Sequence, residues 1–416
     1  MRVALNTMGC KLNQAETEIL ACQFASAGFN LVAPSEDADI YILNTCTVTR
    51  TADSKARRWL RMAHRRNPSA LVVSLGCYAQ RSPRELERIE GVDLVVGNED
   101  KLRLLDILEG SGYLPGFTPP CNDSSDNNFR TRAFIKVQDG CRSFCTYCIV
   151  PLVRNQERSV PAECVTSEIK TLVAAGYKEV VLTGVKVGTY LSDGIDLAGL
   201  LARILGETEV ARLRISSLQP QEISHNLISM WRDSRLCRHF HLSLQSGSDS
   251  VLERMERRYS TRDYLKAITL IRGMVPGMAI TTDIIVGFPG ETDAEFEDSF
   301  RFCRYVGFSR IHVFSYSSRE GTKAAGMMEQ VKDTAKKQRS REMLALAKES
   351  LGKFNSKFLG KDISVLWENE ENGFWAGYTD NYIKVYAKSD KDLTNKLSMV
   401  NLTGIRGEGA RGDLLT

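Results

Sequence analysis

Asp139–Arg158, DGCRSFCTYCIVPLVRNQER, places Cys141, Cys145 and Cys148 in a C-x3-C-x2-C run. Three thiols this close on one loop have the donor chemistry of a metal site, because thiolates bind soft and borderline metals. A structural zinc ion takes four ligands, usually from two C-x2-C-type pairs. No further Cys or His lies close by to complete such a set. A four-iron cluster held by three thiolates keeps one iron open for a small ligand. On spacing alone, a zinc knuckle stays open as the other reading.

Around this loop the chain alternates strands with helices. Candidate strands are Phe134–Val137, Glu179–Leu182, Leu213–Ser216, Phe240–Leu244, Ile280–Val286 and Ile311–Phe314. Candidate helices between them include Ala162–Ala175, Gln221–Met230, Thr261–Gly273 and Asp293–Val306. Six βα units are too few for the eight-stranded barrel. The cysteine loop follows the first strand, so it belongs at the C-terminal mouth, where barrel chemistry is found. Thr183-Gly184, Ser216-Ser217, Gln245-Ser246-Gly247 and Gly287-Phe288-Pro289-Gly290 end other strands at that mouth. Glycines there allow a ligand to approach the backbone. Gly184, Ser217 and Gln245 are candidate contacts to a ribose or carboxylate, with ordinary βα-turn chemistry as the alternative. Arg154 and Arg158 stand where a substrate phosphate or a ligand carboxylate would be met, unless they are surface charge.

Before residue 120, short apolar runs at Val3–Leu5, Ile40–Leu43, Leu71–Leu75 and Val92–Val96 read as buried strands. Helical stretches at Ala15–Ala27 and Ala52–Arg66 make the strands parallel, with right-handed crossovers. Three of the runs end almost at once in a cysteine: Cys10 in TMGC, Cys46 in LNTC and Cys77 in SLGC. Ligands of open α/β sheets sit beyond the carboxyl ends of the strands. The three cysteines are therefore expected to converge on a second three-thiolate site. Cys22, Cys121, Cys164, Cys237 and Cys303 have no such placement and read as ordinary residues.

Gly110–Asn128 is rich in Gly, Pro, Ser, Asn and Asp and reads as a linker. After about residue 329 a basic helix, Lys332–Ser350, leads into short strands at Ile363–Glu368, Phe374–Tyr378, Tyr382–Ala387 and Ser398–Ile405. These predict a small closed barrel. Exposed Tyr, Trp and Lys on such a barrel suit RNA stacking and phosphate contact. Trp367 and Trp375 could equally form its core.

A chain of 416 residues with 43% hydrophobic content supports two or three domains. Its apolar runs fall far short of a membrane span, and MRVALNTMGC has no signal-peptide pattern. Eleven cysteines in such a chain suit metal ligation in a reducing cytoplasm better than disulfides. The net charge of +4 is uneven. Arg50–Arg66 carries seven Lys/Arg against one acid, and Lys332–Lys361 nine against three. Such faces are the electrostatic footprint of a nucleic-acid binder, or plain solvated helix faces.

End to end, the chain resembles the radical S-adenosylmethionine (SAM) methylthiotransferases. The resemblance rests on TMGCKLNQAETE, ILNTCTVT and SLGCYAQ; on FIKVQDGCRSFCTYCIVP, with Tyr147 before the last cysteine; on HLSLQSGSDSVLERM and TTDIIVGFPGETDAEFED; and on GYTDNYIKV, which is similar to the TRAM RNA-binding module. It implies an α/β architecture of three domains: a cluster-bearing N-terminal domain (1–120), a (β/α)6 radical SAM core (128–350) and a TRAM-like domain (351–416). It implies two [4Fe–4S] clusters, one on Cys141, Cys145 and Cys148 and an auxiliary one on Cys10, Cys46 and Cys77 that carries the sulfur to be transferred. Tyr147, Gly184, Ser217 and Gln245 would contact SAM, and Arg154 and Arg158 the substrate. One SAM would methylate the sulfur; a second would be cleaved to a radical that takes hydrogen from an unreactive carbon.

Within that family the target is a tRNA adenosine at position 37, bearing threonylcarbamoyl or isopentenyl on N6, or an aspartate of a ribosomal protein. The Lys-x-Asn-Gln after Cys10 is most similar to the threonylcarbamoyl branch; the other branches tend to read GCQMN and GCPKN. Two departures bear on substrate contacts: Asn155-Gln156, where this branch usually has glycine after the arginine, and Lys186, where Asn or His is expected. A cytoplasmic monomer is implied, with tRNA as partner, no membrane, and an unidentified electron donor and sulfur source. A non-catalytic metal-containing RNA-binding protein is the alternative from another class; it would need the basic faces but not six βα units.

Overall fold

The computed structural model describes residues 1–113 and 131–415. They form two compact units interleaved in sequence. One takes the described part of residues 1–128 with Asp139–Glu157 and Ser317–Ala325. The other takes the described part of 129–138, Arg158–Tyr316 and residues 326–415. The C-x3-C-x2-C loop thus belongs to the same unit as the N-terminal cysteines. Cys121 and most of the expected linker lie outside the described residues.

The first unit is built on a parallel sheet in the order Asn30–Val32, Arg2–Thr7, Ile40–Thr45, Leu71–Gly76, Leu94–Val96. Both faces are covered, as expected of parallel strands. Ile40, Ile42, Val73 and Leu75 pack on one face with Leu20 and Phe24. Tyr41, Leu43 and Val72 pack on the other with Trp59 and Leu60. Each large side chain buried this way contributes about 1.5–3 kcal/mol. Asn30–Val32 was not expected; it is a short, largely exposed edge strand without an apolar run. The helix Arg50–Arg66 starts where Thr49 accepts from Ala52 N at 3.2 Å. It buries Ala56, Trp59, Leu60 and Ala63 and ends in His64, Arg65 and Arg66, which complement the dipole.

In the second unit, Arg132–Lys136, Glu179–Thr183 and Arg212–Ile215 pair in parallel. So do Ser217–Leu218, His239–Leu242, Ala279–Val286 and Arg310–Ser315. The trace Arg212–Leu218, interrupted at Ser216, belongs to both sheets. Six strands therefore follow one another in chain order, as the six βα units predict. Alternation sorts their side chains: Ile280, Ile284 and Val286 join the helix-covered core, while Thr281 and Asp283 point to the other face. The helices begin at reciprocal caps, Ser260 with Asp263 and Thr292 with Glu295. The latter helix stops at Gly307, which is left-handed at φ 62°.

The C-terminal part closes into a five-stranded barrel, in the order Asp362–Glu371, Phe374–Thr379, Lys384–Ala387, Gly409–Leu414, Leu397–Arg406. Trp367 is fully buried in its core with Val365, Val385, Val400 and Leu402, whereas Trp375 packs only partly. Gly409–Leu414 was not expected, because GARGDL lacks apolar alternation. The GYTDNYIKV segment faces the parallel strands of the same unit. Arg212 donates to Tyr378 O at 2.9 Å and Arg214 to Asp380 O at 3.0 Å. Arg238 pairs with the Asp380 carboxylate at 2.6 and 3.1 Å. Tyr382 stacks on His239 and on Tyr378. Tyr378 and Tyr382, both half-buried, therefore take part in this packing.

Candidate functional site

Three strand ends meet in the first unit, locked by their own side chains. Gly9 lies at φ 123°, and a Cβ there would come within 2.5 Å of Cys46 Cβ, so only glycine lets TMGC pass LNTC. Asn44 donates to Asn13 O at 2.9 Å. Thr45 Oγ1 donates to Leu75 O at 2.6 Å and accepts from Tyr78 N at 3.2 Å. Cys10 precedes the helix Lys11–Ser26, and Cys77 opens the short helix Cys77–Arg81. Cys46 lies within electrostatic range of both Cys77 and Cys10, so the three thiols share one locality. Burial, first of all, pushes the Cys46 thiol up to about 12.

Several donors are aimed at these sulfurs. Val48 N approaches Cys46 Sγ at 3.5 Å, Asn98 Nδ2 approaches Cys77 Sγ at 3.6 Å, and Arg154 Nε at 3.3 Å. Such donors suit thiolates carrying charge, as in cluster ligation. Among the described residues no three Cys, His, Asp or Glu side chains converge as ligands of one metal ion. The donor set fits a [4Fe–4S] group with one iron left open.

The C-x3-C-x2-C loop lies in the same unit. Cys141 and Cys145 are buried and Cys148 is partly so. Ser143 N approaches Cys141 Sγ at 3.4 Å, and Cys148 N donates to Cys145 O at 2.9 Å. Phe144 holds a left-handed φ of 49° between the ligands and is exposed. Gly140, at φ 78°, has room for no Cβ: one would lie 2.0 Å from Gln156 O. Cys77 packs against Ile149 and Val153, just after Cys148, so the two triplets share a wall.

Arg154 is buried and does not present its guanidinium to a ligand phosphate or carboxylate, as the sequence reading expected. It donates to Glu16 at 2.8 and 3.0 Å, to Asp139 at 2.8 and 3.0 Å, and to Asn13 at 3.1 Å, besides Cys77. Asn13 and Glu16, one turn apart on the first helix, explain the Lys-x-Asn-Gln-Ala-Glu run after Cys10. Lys101, sealed from solvent, pairs with Glu16 and donates to Asn98 Oδ1 at 2.9 Å. Burial, first, lowers its pKa, aided by the charge of Arg154 and opposed by Glu16. Sequence reading missed Glu16, Asn98 and Lys101. Acidic and basic residues spread over 86 positions become partners only in the folded chain, although the Glu six residues after Cys10 was a usable signal.

Ser317–Ala325 completes the unit. Arg319 donates to Asp53 at 2.5 Å and to Thr47 at 2.7 Å, next to Cys46. Asn155 adopts no left-handed backbone, so the residue standing for glycine is accommodated without strain. Gln156 bonds Glu99 at 3.1 Å.

The remaining expected contacts are split. Tyr147 belongs to the first unit. Gly184, Ser217, Gln245 and the exposed Arg158 belong to the second. Gln245 takes a left-handed φ of 73° while its N bonds Asp283 O and its O accepts from Ile285 N. Lys186, the other departure, lies 3.6 Å from Glu222 with both side chains largely buried. On the inner strand face His241 bonds Asp283 at 3.1 Å and Thr281 at 3.0 Å, and His312 stands beside it. Sequence reading did not single out this His–Asp pair, because its members lie on different strands. Gly287 N donates to Glu291, which Arg339 also grips at 2.7 Å. The GFPGE run thus anchors the helix Asp333–Ser356, and Arg339 of that basic run is not a surface charge.

Two surfaces remain positive. On the helix Arg50–Arg66, Arg50, Lys55, Arg58, Arg61 and Arg65 are exposed along one side. On the barrel, Arg406 lies 3.4 Å from the Phe374 ring centre and 5.1 Å from that of Tyr386. Lys388 flanks the Phe374 ring, and Lys384, paired with Glu371 at 2.8 Å, flanks that of Tyr386. Among the described residues no helix is long and apolar enough to cross a membrane.

Comparison with known proteins supplies a frame for this geometry. Residues 2–97 match the model "Uncharacterized protein family UPF0004", and residues 135–303 match the "Radical SAM superfamily". The chain is 38% identical to the threonylcarbamoyladenosine tRNA methylthiotransferase MtaB of Bacillus subtilis, over 96% of this chain and 93% of that protein. It is 37% identical to the MtaB of Aquifex aeolicus, over 94% and 98%. It is 32% identical to a tRNA-2-methylthio-N(6)-dimethylallyladenosine synthase of Endomicrobium trichonymphae, over 100% of both chains. Among solved structures it resembles the radical SAM methyltransferase TsrM of Kitasatospora setae. The TM-score is 0.57 at 15% identity, over 78% of this chain and 77% of that one. At that identity the likeness speaks for the fold alone.

Proposed function

We propose that this chain, which belongs to the radical SAM methylthiotransferase family and within it to the threonylcarbamoyladenosine tRNA (MtaB) branch, adds a methylthio group to C2 of N6-threonylcarbamoyladenosine at position 37 of tRNA. It is an enzyme that works with SAM and two [4Fe–4S] clusters. The observation that carries the reading is the placement of both cysteine triplets in one compact unit, with Cys77 against the loop of Cys141, Cys145 and Cys148.

In this reading Cys141, Cys145 and Cys148 hold the cluster that meets SAM, and Cys10, Cys46 and Cys77 hold the cluster that carries sulfur. When bound, these groups supply one-electron cleavage of SAM and a methylated sulfur. The chain's own residues do the holding. Gly9 and Gly140 admit the close passages, and peptide N–H groups of Val48 and Ser143 face the sulfurs. Tyr147, Gly184, Ser217 and Gln245 are assigned to SAM. Arg158, the exposed side of Arg50–Arg66, and the Phe374–Tyr386–Arg406 cluster are assigned to RNA, where cations meet phosphate and rings meet bases. The division into 1–120, 128–350 and 351–416 belongs to the same reading. So does a cytoplasmic monomer served by an electron donor and a sulfur source of unassigned identity.

The test is mass spectrometry of tRNA nucleosides from cells with and without the gene. Loss of 2-methylthio-threonylcarbamoyladenosine, restored by the intact gene, is the expected result. Loss of the isopentenyl-type nucleoside instead would move the chain to the branch of its dimethylallyladenosine relatives. If no tRNA nucleoside changes, the tRNA reading fails and the ribosomal-protein aspartate is examined next.

A further inference from the structure

Arg154 is bonded to both cysteine sites at once. Its carbonyl accepts from Cys141 N at 3.1 Å, and its Nε donates to Cys77 Sγ at 3.3 Å. Its side chain is only 3% exposed, so neither bond is diluted by water. The rest of the guanidinium is clamped by Glu16, Asp139 and Asn13, which fixes the direction of the Nε–H bond toward sulfur. Charge is balanced around it: Arg154 and Lys101 face Glu16 and Asp139. Such a neutral group adds a directed donor and a nearby cation to one thiolate without adding net charge to the interior.

We propose that Arg154 is a positioning residue that sets the reduction potential of the group held by Cys10, Cys46 and Cys77, acting from the loop that carries the other triplet. Hydrogen bonds to cluster sulfur and nearby positive charge stabilise the more negative, reduced state and raise the potential. Arg154 supplies both to Cys77. Because its backbone is bonded to Cys141, the seating of the C-x3-C-x2-C loop is what delivers the donor. The link is the peptide N–H of residue 141, which a Cys141→Ala substitution retains. This inference rests on the reading of Cys10, Cys46 and Cys77 as cluster ligands.

The experiment uses the full chain with Cys141, Cys145 and Cys148 replaced by Ala, reconstituted anaerobically with iron and sulfide, so that only the auxiliary group is present. The midpoint is read by electron paramagnetic resonance during a redox titration. Arg154→Gln is expected to lower it by at least the 59 mV that corresponds to a tenfold change in the reduced-to-oxidised ratio for one electron. Arg154→Lys keeps the charge but not the directed Nε–H bond, and should fall between. In the converse background, with Cys10, Cys46 and Cys77 replaced, Arg154→Gln should leave the midpoint of the other group unchanged. If Arg154→Gln alone fails to fold, the pair Arg154→Gln with Glu16→Gln restores neutrality, and the lowered midpoint must persist in it. An unmoved midpoint with normal iron content overturns the role of Arg154. A chain that binds no iron at the auxiliary triplet, with Arg154 intact, overturns the cluster reading instead.

Discussion

The Glu179 carboxylate lies 2.7 Å from Arg214 Nε and 3.2 Å from its Nη2, with both side chains sealed from solvent. Burial alone would raise the Glu179 pKa, but Arg214, helped by Arg132 and Arg212, more than offsets it and holds the carboxyl below its ordinary value. Removing one partner leaves an uncompensated buried charge. Glu179→Gln should therefore destabilise the second unit by about 3–5 kcal/mol. Urea unfolding checks this: the midpoint should fall with little change in slope.

Glu295 gives a pH-dependent term. Burial works to raise its pKa, but bonds from Arg254, Ser250 and Thr292 N hold it at about 2, against an ordinary 4.5. The folded value is below the unfolded one, so the stabilisation is complete above about pH 4.5 and is lost as pH falls toward 2. Glu295→Gln should cost about 2 kcal/mol at pH 7. Acid unfolding followed by circular dichroism should show the gap between variant and wild type closing over that window.

The two triplets should separate by substitution. Cys46→Ala and Cys145→Ala should each lower anaerobically reconstituted iron from about eight to about four per chain. Formation of 5′-deoxyadenosine from SAM should survive in Cys46→Ala and vanish in Cys145→Ala, while methylthiolation is lost in both. Survival of methylthiolation in Cys46→Ala would remove the sulfur-carrying role from that site.

Reversing Arg58, Arg61 and Arg65 to Glu should weaken tRNA binding and flatten its dependence on log salt by about 2–3 in slope, one unit or slightly less per phosphate contact. Phe374→Ala should weaken binding by about 1–3 kcal/mol with the salt slope unchanged, as loss of stacking does. Filter binding across a salt series distinguishes the two. A wild-type slope in the arginine variant, or wild-type affinity in Phe374→Ala, would remove the corresponding face from the RNA interface.

Much of this architecture is local in origin and was therefore legible in the chain. Apolar runs at Ile40 and Leu71, ending in Cys46 and Cys77, announced parallel strands with thiols at one edge, because strand burial writes itself as consecutive β-branched residues. The helix expected over Asp293–Val306 is found over those residues, between the Thr292–Glu295 cap and the left-handed Gly307. The edge strand Asn30–Val32 and the closing strand Gly409–Leu414 were not, since pairing to a neighbour, not their own composition, makes them strands.

By itself the sequence determined the two cysteine triplets, the six βα units and the small barrel, all of which follow from spacing and periodicity. Only the tertiary structure decided that Arg154, which reads as a ligand-facing charge, lies inside a set of bonds to Glu16, Asn13, Asp139 and Cys77. It also decided that the half-buried Tyr378 and Tyr382 rings lie under Arg132, with Tyr382 stacked on His239. The physical reason is the same in both cases. A charge or a ring can be satisfied by water, by a ligand or by the protein, and nothing in the local chain says which. The choice is made by which distant residues the fold brings within hydrogen-bonding reach once water has been excluded.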